Sequence, residues 1–376
     1  MGKKGVDILQ WGLIIFALGG GWLGFSYINQ VSAQAGGGFL WILEVILVTI
    51  AAAAISLYLN IILHEAGHLL GGLLTGYRFT AFCVFNLAVI KENGKLTVKK
   101  RGAPGTSGLC LLSPPDLKNG TYPFKLFAGS GFLVNFLLSA GSFCLFYYLA
   151  GVAGFWARAF LVSGIVGAYL SLINFLPLNT GAVLSDGYVL FNLGKEKNTT
   201  TRRGCWSLSR INALSAEGVR PRDIPTELFD WVDIDDISNI FVLATALNRY
   251  NYLLDKQEMN QARTLMQVLC DSPYNVSKMQ KMSCYCELLF HELIGECRQE
   301  EIDRLYTKEL RVHIKATHSQ TDVQRIMYAY ARLALKDAAL AKEYLDLFDK
   351  ACAFSIWSGT VLAEQELIAF IDAIEE

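Results

Sequence analysis

Polar and apolar positions along this chain are segregated into blocks. Apolar runs occupy Ile8–Tyr27, Phe39–Leu63, Phe124–Ala150 and Ala157–Leu176. Each is long enough, or nearly so, to cross a hydrocarbon layer of ~30 Å as a helix. After Asn198 charged residues become frequent and no run reaches that length. Between the second and third runs, Phe82–Ile90 and Lys95–Lys100 predict strands, with Asn93-Gly94 as a hairpin turn. The Gly- and Pro-rich stretch that follows, from Gly102 to Pro123, predicts an irregular loop. The expected fold is mainly α. A polytopic membrane bundle of about four transmembrane helices with a small β-hairpin fills residues 1–197, and a soluble all-helical domain fills residues 198–376.

In the second half, apolar residues recur at i, i+3 and i+4. They mark three successive helical hairpins, beginning near Asp236, Tyr274 and Ser319. Such an array resembles a tetratricopeptide-like solenoid, although its repeat is nearer ~40 residues than 34. An irregular bundle is the alternative. A short solenoid implies a protein or peptide partner.

Composition sharpens the membrane reading. Hydrophobic residues make up 53% of the 376 and the mean hydropathy is +0.33. The net charge of −1 conceals an asymmetry: residues 1–200 hold 13 Lys+Arg against 7 Asp+Glu, and the remainder 20 against 27. Eight of the basic residues lie in Arg78–Lys125. The positive-inside rule places that loop, and the chain after Leu190, in the cytoplasm. A multi-pass protein with its chemistry near the cytoplasmic side, compatible with a bacterial plasma membrane, is expected. No basic patch with interleaved aromatics points to nucleic acid. Ala33-Gln34-Ala35 resembles a signal-peptidase site, but cleaved or retained, the first apolar segment leaves residue 36 outside. The nine cysteines are odd in number and irregularly spaced, which predicts reduced thiols. Cys284-Tyr285-Cys286 reads as two core thiols on a helix.

The candidate chemistry lies in "LHEAGHLL", residues 63–70, at the end of the second apolar run. His64 and His68 are one turn apart on one helical face and can share a metal. Neutral imidazoles suit Zn²⁺. Glu65 is placed to take a proton from water held at the metal. Ser56 and Asn60 continue the His64 face as a polar stripe. Ionisable groups in an apolar helix are costly and functional by default. A catalytic zinc needs a third protein ligand. Glu44 lies about 30 Å along the helix. Asp116 and Asp186 remain, Asp186 being the better placed after the fourth apolar run. Pro177 and Gly181 break the helix there, and Gly187 gives backbone freedom beside the carboxylate. His291-Glu292, His313 and His318 lack metal-ligand spacing.

Together these segments resemble the site-2 proteases, intramembrane zinc metalloproteases. The resemblance spans roughly the first 190 residues. It rests on "HEAGH" at His64–His68, "GFLVN" at Gly131–Asn135, and Asn174-Phe175-Leu176-Pro177 followed by Asp186-Gly187. Phe132 stands where the family pattern has proline, and eight residues separate Pro177 from Asp186. The resemblance implies His64, His68 and Asp186 as zinc ligands, Glu65 as catalytic base, and Asn135 and Asn174 as substrate contacts. It implies hydrolysis of a peptide bond within or next to a transmembrane or signal-peptide-like segment, with the hairpin clamping the substrate. The alternative is a non-proteolytic membrane scaffold or peptide-export accessory keeping the fold. An intact Glu65 favours the enzyme, because a structural site needs no base.

Overall fold

The computed structural model describes residues 38–374, apart from positions 93, 104–105, 153, 179–183, 233–236 and 273–276. The apolar run Ile8–Tyr27, Ala33-Gln34-Ala35 and Gly181 lie outside the described residues. The chain divides into two compact units. One runs up to Gly76 and resumes over Pro123–Lys195, and the other comprises Tyr77–Tyr122 and Glu196–Glu376.

The first unit contains α1 (Phe39–Leu74), α2 (Phe124–Leu149), α3 (Gly154–Phe175) and the short α4 (Asp186–Asn192). Among the described residues α1, α2 and α3 are long and apolar enough to cross a membrane. Their polarity is inverted relative to a water-soluble bundle. Leu40, Leu47, Ile50, Phe136 and Leu137 are exposed, while Ser56, Asn60, Asn135, Ser139 and Ser171 are buried. Small residues let the backbones approach. A Cβ on Gly67 would lie 2.6 Å from the Ser130 carbonyl oxygen, and one on Gly71 2.7 Å from that of Leu126. Two of the buried polar groups bond across the bundle, Ser56 Oγ to Ser163 Oγ at 3.1 Å and Ser139 Oγ to Gly164 O at 2.7 Å, while Asn60 Nδ2 donates within α1 to Ser56 O at 2.9 Å. Near the start of α1, Glu44 pairs with the buried Arg158 of α3 at 2.5 Å.

The second unit carries the sheet. Its strands are β1 (Arg78–Val84), β2 (Leu87–Glu92), β3 (Lys95–Lys99) and β4 (Gly108–Ser113), antiparallel in the order β3-β2-β1-β4. This corrects two expectations. The span Phe82–Ile90 is not one strand: the chain reverses at Phe85, whose φ is +56°, so that Val84 faces Leu87. The Gly- and Pro-rich stretch is not wholly irregular, because its apolar "GLCLLS" pairs with β1, Phe82 opposite Cys110. The alternation of β1 and β2 turns Ala81, Cys83, Ala88 and Ile90 onto Ala216 and Ile356.

Nine helices of this unit follow: α5 (Thr199–Ala216), α6 (Ile240–Asp255), α7 (Met259–Asp271), α8 (Lys278–Leu293), α9 (Gln299–Leu305), α10 (Lys308–Ala316), α11 (Thr321–Ala329), α12 (Ala338–Phe354) and α13 (Ser358–Ala373), with short 3₁₀ turns between some of them, counted among the described residues. The chain between Arg298 and Thr317 forms two helices, α9 and α10, where the Thr307 hydroxyl accepts from Leu310 N and restarts the helix. A core of Leu243, Tyr250, Met266, Leu289, Phe290, Ile326 and Phe348 binds the array. Arg325 is fully buried in it, bonded to Glu287 at 2.9 Å and to Glu364 at 2.7 Å. Tyr250 donates to the same Glu287 at 2.8 Å.

Candidate metal centre

His64 and His68 sit two to three turns before the end of α1, and Asp186 opens α4. The strap between α3 and α4 is fixed by Ser185. Its hydroxyl donates to Leu176 O at 2.5 Å, accepts from Leu178 N at 2.9 Å and caps α4 by accepting from Tyr188 N at 3.1 Å. The carboxylate is thereby held against the two imidazoles. His64 Nε2 and His68 Nε2 are 3.1 Å apart, and Asp186 Oδ2 is 3.2 Å from the first and 3.3 Å from the second. Ligand bonds of ~2.0–2.1 Å in a tetrahedral site put neighbouring ligand atoms about 3.3–3.4 Å apart. The observed triangle has edges close to that length. Among the described residues it is the group of His, Cys, Asp and Glu atoms that can close on one ion. Asp186 Oδ2 is buried with no hydrogen-bond donor aimed at it.

The far side of each imidazole is also held. His68 Nδ1 donates to the Phe127 carbonyl at 2.7 Å, which leaves Nε2 with its lone pair toward the triangle. His64 Nδ1 lies 3.2 Å from the amide of Asn135. Asn135 is 1% exposed and its Oδ1 lacks a partner. Turned by half a rotation, the same amide accepts from His64 Nδ1–H, satisfies its oxygen and leaves His64 Nε2 bare. The donor set therefore fits a zinc ion on its chemistry and its geometry.

Two glycines are fixed by space. A Cβ on Gly131 would lie 2.5 Å from His68 Nε2 and 2.8 Å from His64 Cε1. A Cβ on Gly187 would lie 1.8 Å from the Phe175 carbonyl oxygen. The reason for Gly187 is thus close approach, not the backbone freedom expected from the sequence.

The structure brings His64, His68, Asp186 and Asn135 together. Glu65 is half-buried one residue from His64 and near enough to His68 for their charges to interact. Asn174 is turned to its own helix, its amide donating to Leu170 O at 3.0 Å. Asp116 is exposed and pairs with Arg210 at 2.7 Å, so Asp186 is the third member of the triangle. Sequence reasoning missed the Phe127 carbonyl and Ser185. A backbone oxygen leaves no residue-type signal. Ser185 could have been found as a helix N-cap just before Asp186.

No family model, no curated protein and no solved structure matches the chain.

Proposed function

We propose that this protein is a zinc-dependent intramembrane endopeptidase of the site-2 protease type. The observation that carries the reading is the His64–His68–Asp186 triangle, with edges of 3.1–3.3 Å, built on a helix apolar enough to lie in lipid. A zinc ion held there supplies Lewis acidity toward a peptide carbonyl and acidifies a water molecule. Glu65 accepts the proton from the attacking water and returns it to the leaving amine. His68 and His64 keep their orientation through Phe127 and Asn135. The substrate is an apolar, helix-breaking membrane or signal-peptide-like segment, because a peptide carbonyl in an intact helix is closed to attack. β3 is an edge of its sheet, where an extended peptide can add as a further strand. In this reading the helices α1, α2 and α3 form part of a multi-pass membrane domain with the site near the cytoplasmic side. The helical array α6–α13 faces the cytoplasm and recruits a protein partner.

The test is cleavage of a panel of signal-peptide-like membrane segments by the purified full chain, wild type beside Glu65→Gln. Cleavage by wild type and none by Glu65→Gln, both holding zinc, is the expected result. Equal behaviour of the two sinks the enzymatic reading and leaves a structural metal site.

A further inference from the structure

Apart from the metal centre, the second unit contains a polar cavity of about 520 Å³. Volumes of this order suit small ligands and headgroups. Its floor is the end of the sheet, where Arg78 of β1 faces Ser113 of β4. Lys91, Gly94, Arg210 of α5 and Glu217, which follows the last residue of α5, also line it.

The charges in this cavity do not cancel internally. Arg210 is held rigid: it lies over the Trp206 ring at 5.3 Å, donates to Pro114 O at 3.3 Å and pairs with the exposed Asp116. Arg78 and Lys91 have no carboxylate partner among the described residues. Glu217 is the one acid on the lining, and it accepts from the buried Thr80 at 3.4 Å. The lining thus holds Arg78, Lys91 and Arg210 against one carboxylate, with Arg210 also paired to Asp116 outside the lining. Guanidinium forks match phosphate oxygens geometrically.

The sequence position of the cavity narrows the ligand. Arg78 lies four residues after Leu74, the last residue of α1, and Ser113 precedes the start of α2 by eleven. The segment that forms most of the lining is therefore tethered at both ends to helices of membrane-spanning length. Arg78, four residues from the end of a span, is within reach of lipid phosphates. Glu217 adds a selection: it repels a second negative charge and attracts an amine.

We infer that this cavity is a phosphate-binding site that takes a glycerophospholipid headgroup, with the phosphodiester on Arg78, Lys91 and Arg210 and a headgroup amine toward Glu217. The inference rests on α1 and α2 spanning a membrane and not on peptide hydrolysis. It is tested by native mass spectrometry of the full chain released from detergent. The probes are phosphatidylethanolamine, phosphatidylglycerol and diacylglycerol, each with matched acyl chains, and separately inorganic phosphate. Wild type retains the two phospholipids over diacylglycerol. Arg78→Glu with Lys91→Glu weakens that retention at least tenfold, and Glu217→Gln removes a preference for the ethanolamine headgroup. Competition by inorganic phosphate supports the same chemistry and identifies free phosphate as a second source. Equal retention of diacylglycerol, or of phospholipid by the double variant, overturns the site. Lys91→Glu alone, an exposed change, serves if the double variant melts early, and unchanged retention in it also overturns the site. Glu65→Gln is carried in parallel and retains lipid as wild type does, so loss of hydrolysis and loss of headgroup binding are read independently.

Discussion

His64 Nε2 and Asp186 Oδ2 stand 3.2 Å apart, although they are 122 positions apart in the chain. Neither is usefully satisfied by the other alone, since Asp186 Oδ2 also meets His68 Nε2 at 3.3 Å and all three atoms point at one volume. A common cation resolves the arrangement. Asp186→Ala should therefore abolish zinc retention in the purified full chain, and Glu65→Gln should leave it at about one ion per chain. Metal analysis after dialysis decides it. Full zinc in Asp186→Ala would remove this carboxylate from the ligand set.

Gly131→Ala places a methyl group within 2.5–2.8 Å of both imidazoles. Those contacts are with ring atoms locked by Phe127 and Asn135, so the rings must turn off the triangle. Zinc affinity should fall by at least tenfold while α2 itself, which gains a better helix former, persists. Competition with a chromophoric chelator measures the affinity, and circular dichroism the helix. Unchanged affinity would mean that the imidazoles have room that the structure denies them.

The sequence made the histidines and Asp186 legible because metal chemistry restricts residue type, and i, i+4 spacing restricts geometry. Gly131 and Gly187 were visible as motif letters, but the collisions that require glycine involve residues distant in sequence. The apolar runs foretold α1, α2 and α3. β4 was hidden because Gly and Pro around "GLCLLS" read as loop until β1 offered a partner. The ion cluster around Arg325 was illegible for the same reason: Glu287, Arg325 and Glu364 lie on three helices, and each alone resembles a surface charge.

Asn135 acts on His64 from the side away from the triangle. Asn135→Leu should lower zinc affinity by roughly 10–100-fold, the usual cost of removing such a partner. Asn135→Asp keeps an acceptor for Nδ1–H and should recover most of the affinity. A cobalt-substituted protein reports the same change in its visible spectrum. If the leucine variant binds zinc as wild type does, Asn135 is free to serve as the substrate contact that the family resemblance implies.

Arg325 is 0% exposed and joins Glu287 of α8 to Glu364 of α13. Arg325→Leu strands two buried carboxylates, which costs about 3–5 kcal/mol when one side of a buried ion pair is removed. The effect should be local. Hydrogen exchange on the full chain should rise in α8, α11 and α13 and stay unchanged in α1 and α2. Uniform protection in the variant would show that the cluster contributes little.

The same cluster sets a pH dependence whose sign is fixed by which form is buried. Burial raises the Glu364 carboxyl from 4.5 to about 7, against the lowering influence of Arg325. Burial likewise raises Asp322 from 3.8 to about 6, with Glu287 acting in the same direction. For both, the folded state binds the proton more tightly, so their stabilisation is complete below the unfolded values and is lost as pH rises through about 6 and 7. His291 behaves oppositely. Burial, aided by Arg325 and Arg263, lowers it from 6.5 to about 3, so stability falls as pH drops below 6.5. Above pH 6.5 Glu364 is the main group still changing. Protection of α13 should therefore decline from pH 6.5 to 8 by on the order of 1 kcal/mol, since a tenfold difference in proton affinity between the folded and unfolded states corresponds to about 1.4 kcal/mol. Glu364→Gln keeps an acceptor for Arg325 but cannot ionise, and its protection should be flat across that interval. Hydrogen exchange, corrected for the intrinsic pH dependence of the chemistry, makes the comparison. A decline of the same size in Glu364→Gln would assign the titration to another group.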